Sequence, residues 1–209
     1  YSVTYVGNPL FDAIEANKNN TNENFRQENK LDERPIVALL AGSRKHEIEK
    51  LLPTMIQATN ALPNYQFVIA GAPNIDNSTY EQIIQNKDIK IVSNQTYTLL
   101  QHAQMALVTS GTATLETALF NVPQVVCYKM GFGNVLEKFR NQILKVPFFS
   151  LVNLIAGREV VKELFQSQVT PENIAKELTC ISLDEACRNE ILKGYAQIRQ
   201  QLQTPESAS

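Results

Sequence analysis

The sequence predicts an α/β fold, a doubly wound parallel sheet with helices on both faces and extra helices at the C-terminus. Three observations carry this. Short apolar runs alternate along the chain with segments of helical apolar spacing, which makes βαβ units and hence a parallel sheet with right-handed crossovers. The runs are apolar throughout, as strands are when helices cover both faces. Beyond residue 130 the pattern turns mostly helical. Together these describe a Rossmann-like domain from about residue 35 onward.

The elements follow in order. Residues 1–16 begin as a strand, "YSVTYVGNPL", and a short helix start, read as the end of a preceding N-terminal domain or a crossover from it. Residues 17–34, "NKNNTNENFRQENKLDER", have Phe25 and Leu31 as their only large apolar residues and read as a polar linker. Ile36 to Leu40 is a strand. Glu47 to Leu62 carries Ile48, Leu51, Leu52, Met55 and Ile56 at helical spacing. Strands are expected at Gln66 to Ala70, Ile89 to Val92, Met105 to Thr109 and Pro123 to Tyr128. Helices are expected at Ser78 to Gln85, Thr96 to His102 and Thr112 to Phe120. Four further helices are expected over Phe132 to Leu144, Arg158 to Phe165, Pro171 to Leu178 and Leu183 to Leu202. The Rossmann-like unit is therefore placed at 35–165, C-terminal helices at 166–203, and a disordered tail at 204–209.

Composition narrows the function classes. The chain has 209 residues, 44% of them hydrophobic, and a formal net charge of −2, which argues against nucleic acid as a partner. No apolar run approaches the roughly 20 residues of a membrane-spanning helix. The first residue is not Met, and the opening strand reads as one entered mid-protein, which suggests a fragment of a longer chain. Cys127, Cys180 and Cys187 lack metal-ligand spacing, and an odd count fits a reducing compartment. The two histidines, His46 and His102, form no metal set, and His102 is expected on the short helix before the Met105 strand.

Ligands of open α/β sheets bind at the carboxyl ends of the strands, which selects three loops. In "AGSRKHE", Gly42 and Ser43 allow close backbone approach at a helix start, and Arg44 adds a fixed positive charge suited to phosphate. A plain turn with a surface Arg fits that loop equally well. In "SGTATLE", Ser110, Gly111, Thr112 and Thr114 put small and hydroxyl residues between a buried strand and a helix. Such a helix N-terminus suits a diphosphate. Glu116 lies four residues after Thr112 on one helix face and can accept hydrogen bonds from both ribose hydroxyls; alternatively it complements the helix dipole. The GxGxxG dinucleotide fingerprint is absent. In the third, "FFSLVNLIAGREVVKELFQ", Asn153, Gly157, Arg158 and Glu159 interrupt an apolar segment, and on spacing alone its charges read as a solvated helix face. Finally, "YKMGFGNVLEKFRNQILKVP" has Lys129, Lys138, Arg140 and Lys145 against Glu137, with apolar residues at helical spacing. It reads either as a basic helix on an anionic membrane or acyl chain, or as an ordinary core-facing helix.

Taken in order, "YVGNPLFD", "LLAGSRKHEI", "ALVTSGTATLETAL", "PQVVCYKM" and "SLVNLIAGREVVKELFQ" resemble the C-terminal half of the lipid-A-disaccharide synthases. Asn8, Val152 and Ala41 depart from the family pattern of His, Pro and Pro at those positions. The resemblance implies the C-terminal domain of a GT-B glycosyltransferase. It also implies inverting, metal- and cofactor-independent transfer of 2,3-diacylglucosamine from UDP-2,3-diacylglucosamine to 2,3-diacylglucosamine 1-phosphate. The location it implies is the cytoplasmic face of the inner membrane of a Gram-negative bacterium, as a peripheral protein. An N-terminal domain would supply the acceptor site and base, and a membrane surface and an oligomer are further partners to consider. Gly42, Ser43, Ser110, Gly111, Thr112, Thr114, Glu116, Asn153, Arg158 and Glu159 then become donor-site candidates, with Arg44 stabilising the leaving group. A non-hydrolysing UDP-sugar epimerase and a non-catalytic UDP-sugar-binding module are the alternatives.

Overall fold

The computed structural model describes residues 22–85, 88–109, 111–129 and 148–203, together with Phe11, Ile14 and Asn17. Within them the chain runs α1 (Phe25–Glu28), β1 (Ile36–Leu40), α2 (Lys45–Ala58), β2 (Gln66–Gly71), α3 (Asn77–Ile84), β3 (Ile89–Ser93), α4 (Thr96–His102), β4 (Ala103–Val108), α5 (Gly111–Leu119), β5 (Gln124–Tyr128), α6 (Leu151–Ala156), β6 (Lys162–Phe165), α7 (Pro171–Leu183) and α8 (Glu185–Gln203). The six strands form one parallel sheet in the order β3-β2-β1-β4-β5-β6. The order reverses at β1, which has β2 on one side and β4 on the other. That is the topological switch point, where crossovers leave to opposite faces and open a crevice at the carboxyl ends.

Alternation along each strand builds two cores, because successive side chains point to opposite faces. Val37, Leu39, Phe67, Ile69, Met105 and Leu107 pack under α2, α3, α7 and α8. Ile36, Ala38, Leu40, Val68, Ala106 and Val108 pack under Phe25, Leu31 and the α4 residues Leu99 and Leu100. Every residue of β1 and β2 is buried. This is why the runs read as continuously apolar.

The structure departs from the sequence expectations in three places. The described part of the supposed polar linker is folded onto the domain: Phe25 is fully buried and stacks on His102 with ring centroids 4.9 Å apart, while Asn29 Nδ2 donates to Gln95 Oε1 at 3.1 Å. Two apolar anchors suffice, the other described residues of the segment being exposed or half-buried.

The segment expected to be a helix from Arg158 to Phe165 instead ends in the edge strand β6. Gly157, at φ 65°, terminates α6 in the left-handed conformation, and the β-branched pair Val160 and Val161 is buried ahead of the strand. The charges of this segment therefore do not form a solvated helix face. Asn153 supports the turn in the manner of a neighbouring strand. Its Oδ1 accepts from Val160 N at 2.7 Å and Val161 N at 3.0 Å, and its Nδ2 donates to Val161 O at 2.9 Å.

The C-terminal helices pack on the domain, and the first of them, α7, runs on to Leu183 where an end at Leu178 was expected. In α8, the Tyr195 hydroxyl donates to Val122 O and accepts from Gln124 Nε2, both at 3.1 Å, and Arg199 donates to Leu119 O at the end of α5. Gly194 lies so close to Val160 that a Cβ there would collide with the valine methyls. The basic segment from residue 130 to 147, the tail 204–209 and the opening strand 1–10 lie outside the described residues.

Candidate functional site

The carboxyl ends of β1, β2 and β4 surround a cavity of about 230 Å³ at the switch point. Gly42 and Ser43 after β1, Gly71 and Pro73 after β2, and Thr112 and Glu116 from α5 line it. Each wall has a local cause. Gly42 sits at φ 112°, where side chains are strained, and a Cβ there would lie 2.8 Å from Glu47 Oε2 and 3.2 Å from Thr109 Oγ1. Beside it, Thr109 ties the end of β4 to β1. Its N–H and hydroxyl both donate to Leu40 O, at 3.0 and 3.1 Å. At Gly111 the situation is reversed: a Cβ would meet nothing within 4 Å, and Gly111 and Thr112 are exposed. The first turn of α5 thus presents backbone to open space at the positive end of the helix dipole.

Glu116 stands one turn further along, half-buried against the cavity. Tyr97 Oη donates to Glu116 Oε1 at 3.3 Å, and the Tyr97 ring is held against Phe120 with centroids 5.2 Å apart. Burial raises the Glu116 carboxyl above its ordinary value, with the Tyr97 hydrogen bond opposing. Burial, then the Glu116 charge, raises the Tyr97 phenol. A carboxylate offers about four acceptor positions, and Tyr97 occupies one. The remainder can take paired hydroxyl donors, and such donors would offset the desolvation that makes the charged form unfavourable.

The sequence candidates divide accordingly. Gly42, Ser43, Thr112 and Glu116 meet in one cavity, with Gly111 at its edge. Arg44 is one residue beyond the lining, largely exposed, and paired with Glu47 at 3.3 Å. Thr114 is fully buried, and its hydroxyl donates to Gly111 O at 2.5 Å, so it shapes the first turn of α5 from within. Ser110 lies outside the described residues. Asn153 is fully buried on α6, where its side chain holds the turn to β6. Arg158 donates to Gln197 Oε1 of α8 at 2.8 Å. Glu159 pairs with Lys162 and lines a different cavity, at the amino ends of β5 and β6. These last three do not join the switch-point cavity.

Four contributors went unnoticed in the sequence: Thr96, Tyr97, Gly71 and Pro73. The rule that ligands sit at carboxyl strand ends selects "AGAPN" after β2 and the α4 start after β3 as readily as the loops chosen, so it could have found them.

The sequence matches the LpxB family, lipid-A-disaccharide synthetase, over residues 1–209. The chain belongs to that family. A lipid-A-disaccharide synthase of Myxococcus xanthus is 36% identical over 96% of this chain and 53% of its own length. Those of Solibacter usitatus and Gloeothece citriformis are 33% and 37% identical, covering 95% and 96% of the chain and 52% and 54% of the relative. The chain thus spans about half the length of the curated relatives it matches. Among solved structures, an S. aureus MnaA–UDP co-structure superposes with TM-score 0.61 at 16% identity, over 92% of this chain and 49% of that one. The C-terminal CMP-Kdo binding domain of WaaA from Acinetobacter baumannii superposes with TM-score 0.52 at 13% identity, over 90% of this chain and 99% of that one. At such identities these neighbours show the fold alone, a Rossmann-like domain shared by GT-B glycosyltransferases and UDP-N-acetylglucosamine epimerases. Family membership rests on the sequence relatives. Among the described residues, no helix is long and apolar enough to cross a membrane.

Proposed function

We propose that this chain is the nucleotide-sugar-binding half of an inverting glycosyltransferase. The reaction would move 2,3-diacylglucosamine from UDP-2,3-diacylglucosamine to 2,3-diacylglucosamine 1-phosphate, giving a β-1,6-linked disaccharide 1-phosphate and UDP. One observation carries the reading: in a chain of this family, the switch-point cavity places a half-buried carboxylate, Glu116, one turn behind an open helix N-terminus. Diphosphate charge is favoured at that N-terminus, and ribose hydroxyls at Glu116.

The roles follow from chemistry. Gly111 and Thr112 offer α5 backbone to the diphosphate, and Ser110 belongs to the same turn by sequence. Gly42 and Ser43 give the second wall. The base has the small-residue loop Gly71 to Pro73 and Thr96 beside it. Arg44, at the rim, stabilises charge on the departing UDP without having to bind the nucleoside. The acceptor site and its base would come from an N-terminal domain, with the whole enzyme peripheral to the cytoplasmic face of the inner membrane. Calorimetric titration of the chain with UDP tests the binding half of this account: saturable binding supports it, and none at millimolar UDP refutes it. Joined to an upstream domain and given donor and acceptor, the protein should yield a disaccharide. An epimeric sugar in its place would establish an epimerase.

A further inference from the structure

A second cavity, of about 200 Å³, lies on the other side of the α5 N-terminus, lined by Thr109, Gly111, Val126, Tyr128, Phe149 and Ser150. Gly111 marks the boundary: Thr112 and Ala113 face the first cavity, and Gly111 the second. A diphosphate at this N-terminus with its nucleoside over Glu116 therefore directs its other substituent toward the second cavity.

The chemistry of the lining is one-sided. Tyr128, Phe149 and Phe165 form a stack at the carboxyl ends of β5 and β6. Their centroids are 5.7 Å (Tyr128–Phe149), 4.6 Å (Phe149–Phe165) and 6.0 Å (Tyr128–Phe165) apart, and their planes lie within 12° of one another. Tyr128 is among the exposed large hydrophobic residues, at 36%. Of the three hydroxyls in the lining, two donate elsewhere, Thr109 to Leu40 O and Ser150 to Glu163 Oε1 at 2.7 Å; the third is the phenol of Tyr128, whose ring belongs to the stack. A hydrocarbon chain needs no hydrogen-bond partner and can cover the ring faces of the stack.

Glu163 holds this wall rigid. Its carboxylate accepts from Phe149 N at 2.8 Å, Ser150 N at 2.9 Å and Asn153 Nδ2 at 2.8 Å, besides the Ser150 hydroxyl. The clamp ties the loop carrying Phe149 to β6, whose Phe165 is its stacking partner. An aromatic surface fixed in this way loses little side-chain entropy when covered.

We infer that the Tyr128–Phe149–Phe165 wall is the subsite for an acyl chain of the donor glycolipid, which makes acylation a determinant of donor affinity in this half of the protein. The inference rests on the proposed UDP-sugar site. Its test is to titrate the chain with UDP, with UDP-N-acetylglucosamine, and with a soluble UDP-glucosamine bearing two hexanoyl chains. The dihexanoyl donor should bind at least about tenfold tighter than UDP-N-acetylglucosamine, the worth of roughly two buried methylenes. Phe149→Ser should remove most of that gain and leave UDP affinity within about twofold, and the more exposed Tyr128→Ser should remove part of it. Retained UDP binding certifies that each variant is folded. Equal affinity of the wild type for the dihexanoyl donor and for UDP-N-acetylglucosamine, with UDP still bound, overturns the acyl subsite and spares the nucleotide site. Equal losses for all three ligands on Phe149→Ser also overturn it. Absence of UDP binding to the wild type removes both readings.

Discussion

Two glycines stand at the two loops facing the switch point, and they differ in what surrounds them. Gly42 is closed in: its φ is 112°, and a methyl group there would press on Glu47 and Thr109. Gly111 is open: a methyl group would project into empty space. Two small residues at equivalent sheet positions thus have different physical causes. The first is required by the protein's own backbone. The second is required only if something else must come close. The α5 N-terminus is the more direct evidence of a ligand, because folding alone gives no reason for its bareness.

The largest expected effect breaks the closed side. Gly42→Ala should destabilise the chain by about 2–4 kcal/mol through backbone strain and crowding. It should lower the melting temperature by roughly 5–15 °C, as read by thermal unfolding. Gly111→Ala sharpens the contrast: stability should stay within about 0.5 kcal/mol, while UDP affinity in calorimetry drops about tenfold as the methyl group occupies the phosphate approach. If the two variants behaved alike in both measurements, the contrast between the glycines would have no functional meaning.

A smaller effect is expected from pH. Glu116 is raised by burial, so in the free protein its contribution to stability is fully present below the unfolded value and is lost as pH rises through the folded one. Ribose hydroxyls favour the ionised form, so UDP should bind more tightly as pH rises, levelling off above the usual carboxylate range. Glu116→Gln should remove that increment and leave the part due to phosphate ionisation. Identical profiles would show that Glu116 does not titrate with binding. The smallest effect belongs to Arg44→Ala. Its exposed pair with Glu47 is worth about 0–1 kcal/mol, so unfolding should hardly change and UDP affinity should fall only a few-fold. Turnover of an enzyme that includes the upstream domain should fall much more, and normal turnover would end the leaving-group role.

The parts legible in the sequence were those with local causes. β1 from Ile36 to Leu40 and α4 from Thr96 to His102 are found as expected, because unbroken apolar runs and helical spacing are properties of neighbouring residues. Glu116 was legible for the same reason, lying four residues after Thr112. What depended on distant partners was not. Charges at helical spacing over Arg158 to Glu163 hid an edge strand that exists because Asn153 and Glu163 organise the turn before it. Phe25 and Leu31 looked like isolated residues in a polar stretch, because the core they enter is built by α4 and β1. Tyr97 gave no local sign of meeting Glu116, nineteen residues away.

In the proposed site, Glu116 recognises the ribose of a uridine diphosphate at the switch point. A double cycle isolates that contact: UDP and 2′-deoxy-UDP titrated against the wild type and against Glu116→Gln. Removing the 2′-hydroxyl should weaken wild-type binding by at least about tenfold, the worth of one hydrogen bond to a charged group, and hardly affect the variant. An equal penalty in both proteins would contradict it.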